Sequence, residues 1–161
     1  MRRTGRRATV RAVGAAVVGA LVLVLPASSG ATGRAPEVPA PMAPVAWQRP
    51  AVSATGLVER SGVRLVRVSV SGDGGLLDVR YQVIDPNRAS AVHDRRTPPA
   101  IIDERTGLVM SKLFMGHSHT GRLTAAVTYY LVIENPGHWV QRGDRVTVLL
   151  GDAEVEHVVV V

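Results

Sequence analysis

The chain has 161 residues, 19 basic and 13 acidic side chains, no cysteine and an aromatic content of only 4%. The missing cysteines exclude disulfides and thiolate metal sites, so stability must come from an apolar core. The net charge of +6 is concentrated at one end: five arginines lie in the opening "MRRTGRRATVR", and all acidic residues lie beyond it. The remainder is nearly neutral, with Arg95-Arg96 as its one adjacent basic pair, and a nucleic-acid interface is therefore not expected.

In chain order, residues 1–31 read as a secretory signal peptide. A basic head is followed by an apolar run from Ala12 to Leu25, then Pro26 and the small residues "ASSGA", the three parts such a leader needs. Cleavage is expected after Ser29 or Ala31. The alternative is a signal anchor, since the run approaches the roughly 20 residues of a membrane span if the small residues are counted. Residues 32–56 form a proline-rich linker; "APEVPAPMAP" favours an extended, polyproline-like spacer. Trp47 interrupts it and is either docked on the following domain or exposed.

Residues 57–161 are expected to be a β domain without helices. "VRLVRVSV" places Val66, Val68 and Val70 on one face, and "SGDGG" turns the chain. In "LLDVRYQVI", Leu77, Val79, Tyr81 and Val83 alternate with Asp78, Arg80 and Gln82, a half-buried strand. "DPNRA" ends it, and the loop 87–99 contains Pro98-Pro99, which disfavour a strand. Residues 100–114 read as a hairpin reversing at "DERTG", with Ile101 and Ile102 on one arm and Leu108 and Val109 on the other. "RLTAAVTYYLVIEN" is expected to be the longest strand, with Ala125, Val127, Tyr129, Leu131 and Ile133 on one face. "NPGH" and "QRGD" are turns before "RVTVLLG", and Gly151-Asp152 closes a final hairpin. In the last strand, His157 shares the inward register with Ala153, Val155, Val159 and Val161 and is expected to be a core or edge histidine.

One stretch suggests chemistry. In "MGHSH", Met115, His117 and His119 would share one side of an extended chain, with the histidines about 7 Å apart at Cα. Imidazole with thioether suits copper, and imidazole alone suits zinc. Gly116, Ser118, Thr120 and Gly121 are equally the residues of a plain connecting loop. No catalytic set emerges: no "GxSxG", no cysteine, and Asp103 and Glu104, being adjacent, point to opposite faces of a strand.

About seven short strands separated by Gly, Pro, Asn and Asp suggest an all-β antiparallel sandwich. With its "NPGHWVQRGDRVTVLLGD" ending, the segment resembles the immunoglobulin-like sandwiches of exported bacterial proteins. That resemblance implies architecture and no activity. The expected function is an exported, non-catalytic binding or structural module of the cell envelope or extracellular space, with an envelope or protein partner. The alternatives are a metal-handling protein using Met115, His117 and His119, and a membrane-anchored accessory subunit with its C-terminal domain outside.

Overall fold

The computed structural model describes residues 44–115 and 122–161. These begin with a helical turn at Val45–Trp47 and a helix α1 (Ala54–Ser61), followed by β1 (Val63–Ser71) and β2 (Leu76–Val83). A short helix α2 (Pro86–Ala89) precedes β3 (Ala100–Asp103), β4 (Val109–Met110), β5 (Thr128–Glu134), β6 (Arg145–Leu150) and β7 (Ala153–Val159). The strands form two antiparallel sheets, β1-β2-β5 and β4-β3-β6-β7. Their inner faces share one core: Val68, Leu77, Val79, Tyr81, Leu131 and Ile133 from the first sheet and Ile101, Met110, Val146, Val148 and Leu150 from the second. The expected hairpins at residues 71–75, 103–107 and 151–152 are present, and the architecture is sandwich-like.

Helix α1 corrects the expectation of a helix-free domain. Ser53 caps it by accepting a hydrogen bond from the Gly56 N–H at 3.1 Å. Gly62 closes it in the left-handed region at φ 64°. Only Leu57 and Ser61 of its eight residues are buried, so no apolar periodicity develops over two turns. The caps were the readable signal.

Three further corrections concern the strands. Val66 does not share a face with Val68 and Val70. A bulge between Leu65 and Arg67 leaves it without a register partner on β2, and it is 51% exposed. Each such insertion reverses the facing of everything on its far side. The longest strand is β1, at nine residues, whereas β5 has seven and begins only at Thr128. Ahead of β5, Ala126 lies at φ 64° and its N–H donates to the Val83 carbonyl, so the chain turns at residues 125–126 and residues 122–127 lie outside the strand. The third correction is the inward register of His157, which is a hydrogen-bonded histidine of the edge strand β7 and not of the core. A bulge opposite Thr147 puts it at φ 60° and turns it outward, leaving Val160 in the core in place of Val159 or Val161.

Short segments finish the sheet edges. Residues 112–114 line the free side of β5, with the Phe114 N–H donating to Val132 O and the Glu134 N–H to Lys112 O, both at 2.8 Å. After β7 the chain crosses to the other sheet, where Val161 N–H donates to Val68 O and Val70 N–H to Val161 O. Ala51 forms a parallel bridge with Glu154 of β7. Trp47 docks on Ala100, Ile102 and Leu149, the outward residues of the four-stranded sheet. Arg49 fixes this segment by donating to the Gly151 and Pro98 carbonyls, each at 2.6 Å. Among the described residues, no helix is long and apolar enough to cross a membrane.

Candidate functional site

The two sheets differ on their outer faces. The four-stranded sheet has its outward apolar residues covered by Trp47. The three-stranded sheet carries no such cover among the described residues, and its outward side chains are set by strand register. One row across β1, β2 and β5 is Arg67, Arg80 and Tyr130. The next is Ser69, Asp78 and Val132, extended by Phe114 on the adjoining segment. A third row is Arg64, Gln82 and Thr128, and at the other end Leu76 faces Glu134.

Two aromatic side chains dominate this face. Phe114 is 54% exposed and Tyr130 is 62% exposed. Phe114 is the chain's single phenylalanine, and it lies outside while valine, leucine and isoleucine fill the core. Leu113, the residue before it, packs inward against that core, so the alternation of an extended chain sends Phe114 outward. As diagonal neighbours flanking Val132, Phe114 and Tyr130 form one apolar patch.

Arginines border the patch. Arg80 pairs with Asp78, Nε to Oδ2 at 3.0 Å. Arg64 and Arg67 are exposed and have no ion pair among the described residues. Arg67 and Arg80 stand directly opposite each other, an arrangement that weakens a strand pair. The second oxygen of Asp78, Oδ1, is buried without a hydrogen-bond partner among the described residues. Lys112 closes the far edge through an ion pair with Glu134 at 2.9 Å.

At that edge the face runs into an open cleft of about 290 Å³ lined by Leu76, Phe114, Glu134, Pro136 and His138. Its shape depends on Asn135, which is fully buried. The Asn135 Nδ2 donates to the Gly74 and Val140 carbonyls at 2.7 and 2.9 Å, and its Oδ1 accepts from the Val140 N–H. One side chain thus joins the β1–β2 turn to the turn after β5. Sequence reasoning read "NPGH" only as a turn. The missed signal was an asparagine placed where a strand ends, a residue type suited to bonding nearby backbone.

Of the proposed metal ligands, Met115 lies just beyond Phe114 and is exposed. His117 and His119 fall outside the described residues. Among the described residues no group of three or more His, Cys, Asp or Glu side chains is placed to hold a metal ion. Tyr81, Asp103, Glu104 and Asp144 have structural partners. Tyr81 is buried, its hydroxyl 2.9 Å from His93 Nε2 and its ring stacked on Tyr129 at 6.0 Å. Burial pushes its phenol well above the ordinary value.

Asp103 and Glu104 do separate to different tasks. Asp103 is buried and accepts from Thr106 Oγ1 at 2.6 Å and from the Arg105 N–H, shaping the β3–β4 turn. Glu104 holds the β7 bulge: it accepts from the His157 N–H at 2.6 Å and from Thr147 Oγ1 at 3.1 Å, and its Oε2 lies 2.9 Å from His157 Nδ1. Burial pushes the Glu104 carboxyl up, but the hydrogen bonds from His157 and Thr147 outweigh it and hold the group below the ordinary carboxylate value. The tripeptide Arg142-Gly143-Asp144 is a turn, closed by Asp144 Oδ2 accepting from the Gln141 N–H at 2.7 Å.

Comparison with known proteins finds no family model, no curated protein and no solved structure that matches the chain.

Proposed function

We propose that this protein is an exported, non-catalytic binding module of the cell envelope, with an immunoglobulin-like domain that meets its partner through the open face of the three-stranded sheet. The observation that carries this reading is the exposure of Phe114 and Tyr130 together on that face. A chain so poor in aromatic residues gains nothing in stability by leaving its one phenylalanine in water, and an exposed apolar patch rimmed by polar residues is the usual mark of an interaction surface. Export is supported by the leader-like composition of residues 1–31. The non-catalytic reading is supported by the structural tasks of Asp103 and Glu104.

The test is site-specific crosslinking in cells. A photoreactive phenylalanine analogue at Tyr130 is expected to give a discrete adduct, and the same analogue at Glu156 on β7 none. Equal labelling from both positions, or none from either, would remove the surface from consideration. The competing metal-handling reading is separated by titrating Cu(I), Cu(II) and Zn(II) into the chelator-stripped protein and a His117→Ala/His119→Ala variant. The binding-module reading expects equally weak binding by both. Stoichiometric sub-micromolar binding lost in the variant would replace it with metal handling.

A further inference from the structure

Resting on the reading of this face as the binding surface, we infer that its partner is a protein segment carrying carboxylates next to apolar side chains. The charge of the face calls for an anion: Asp78 is taken by Arg80 and Glu134 by Lys112, which leaves Arg64 and Arg67 without an acidic partner among the described residues. Arg67 and Arg80, held in register, start from backbones about one strand spacing apart, ~4.8 Å, with the Arg80 guanidinium also touching Asp78. A carboxylate between them relieves their repulsion, and its two oxygens suit the planar donors of arginine.

The apolar half of the face follows from the same spacing. Tyr130 is one strand beyond Arg80, and Phe114 lies one strand beyond β5. From the Arg67–Arg80 pair to Phe114 is therefore about 12 Å across the strands and one row, about 7 Å, along them, or about 14 Å in all. An extended partner crossing the strands repeats its side chains on one side every 7 Å or so. Acidic residues at the arginine end and apolar ones two and four positions on would meet Tyr130 and Phe114 in turn.

Discrete charge placement favours a protein over an anionic membrane. Asp78 and Glu134 share the face with the arginines and would repel a uniformly negative surface, whereas a peptide can set its carboxylates only where guanidinium groups wait. Tyrosine and arginine together are also the residue types that dominate protein interfaces. An extended peptide of about seven residues buries less than the ~800 Å² per partner of a standard complex and loses its own flexibility on binding, so a micromolar affinity is expected.

The experiment titrates the full chain with an acetylated peptide, Glu-Ser-Glu-Ser-Leu-Ser-Phe, its Glu-to-Gln counterpart, and phosphatidylglycerol vesicles. The acidic peptide is expected to bind with a Kd of about 10–100 µM and to weaken severalfold when salt is raised from about 50 to 300 mM. Replacing its glutamates by glutamines should cost about tenfold, as should Arg67→Ser/Arg80→Ser or Phe114→Ser/Tyr130→Ser in the protein. A charge-reversed variant, Arg67→Glu/Arg80→Glu, should prefer a Lys-for-Glu version of the peptide, which separates recognition from damage to the fold. Binding indifferent to the glutamates or to the arginines would overturn the proposal, as would binding to vesicles and not to peptide. Adducts at Tyr130 in cells without peptide binding would overturn this partner class alone and leave the surface standing.

Discussion

Glu104 shows how much one side chain carries where a strand departs from regularity. The bulge in β7 needs a residue in the left-handed region, and His157 occupies it at φ 60° without the freedom of glycine. The Glu104 carboxylate compensates by accepting from the His157 N–H and facing its ring nitrogen. Replacing Glu104 by Gln keeps the shape and removes the charge, and is expected to cost about 1 kcal/mol at pH 7 after allowance for solvent screening. The pH dependence has a definite sign. The folded-state carboxyl is held below its ordinary value of 4.5, so its contribution is complete above that value and fades as pH falls through the lower folded-state value. Thermal melts from pH 7 to pH 3 should show the gap between wild type and Glu104→Gln closing only below about pH 4.5. A gap that widens on acidification would contradict this assignment.

The same residue explains a limit of reading this chain by alternation. The inward register of β2 was legible because Leu77, Val79, Tyr81 and Val83 alternate without interruption and are all buried. In β1 and β7 a single inserted residue resets the count, so Val66 and His157 point away from the core despite being in phase with it on paper. Nothing in "VRLVRVSV" or "AEVEHVVVV" marks where the insertion falls. The partner strand and Glu104, distant in sequence, decide that.

At the scale of elements, helix α1 and the turn after β5 were underread for opposite reasons. The helix is too short to show a repeat, yet both its boundaries are explicit in Ser53 and Gly62. At Gly62, a Cβ would sit 2.5 Å from the Asp85 carbonyl oxygen, and the backbone is left-handed as well. Gly62→Ala should therefore destabilise the domain by about 2 kcal/mol or more, read as a lower denaturant midpoint with unchanged slope. The turn after β5 was recognised, but its anchor was not, because the Asn135 bonds reach Gly74, 61 residues away in sequence. Asn135→Ala leaves the Gly74 and Val140 carbonyls and the Val140 N–H in need of partners and should cost about 2–4 kcal/mol. It should also loosen the cleft beside Phe114, visible as faster amide exchange at Val140. A near-neutral melt for this variant would mean that the buried network carries far less than its geometry implies.

For the whole molecule, two antiparallel sheets were legible from seven punctuated strands, whereas strand order and the finishing of the edges were not. Those depend on long-range pairings: β5 beside β2, residues 112–114 beside β5, and Val161 beside β1. The described fold also takes in residues that read as spacer, since Trp47 and Arg49 lie against the four-stranded sheet. This asymmetry, one sheet covered by its own chain and the other open among the described residues, defines the candidate surface, and no local pattern announces it. Arg49→Ala is expected to free this segment while leaving the domain folded. Loss of a charged donor worth about 1.5 kcal/mol should speed exchange of the Val52 amide about tenfold and shift Trp47 emission to longer wavelength. An unchanged Trp47 spectrum would show that ring packing alone retains the segment.

The pairing of residues 50–52 with β7 has a mechanical side. The Ala51–Glu154 bridge is parallel, with Val52 N–H donating to Glu154 O and Glu154 N–H to Pro50 O. Tension drawn along the chain between Trp47 and Val160 pulls these two segments past each other lengthwise. Bonds arranged in that way share the force and must rupture together, whereas a hairpin pulled from its open end unzips one bond at a time. The bridge is thus oriented to resist traction.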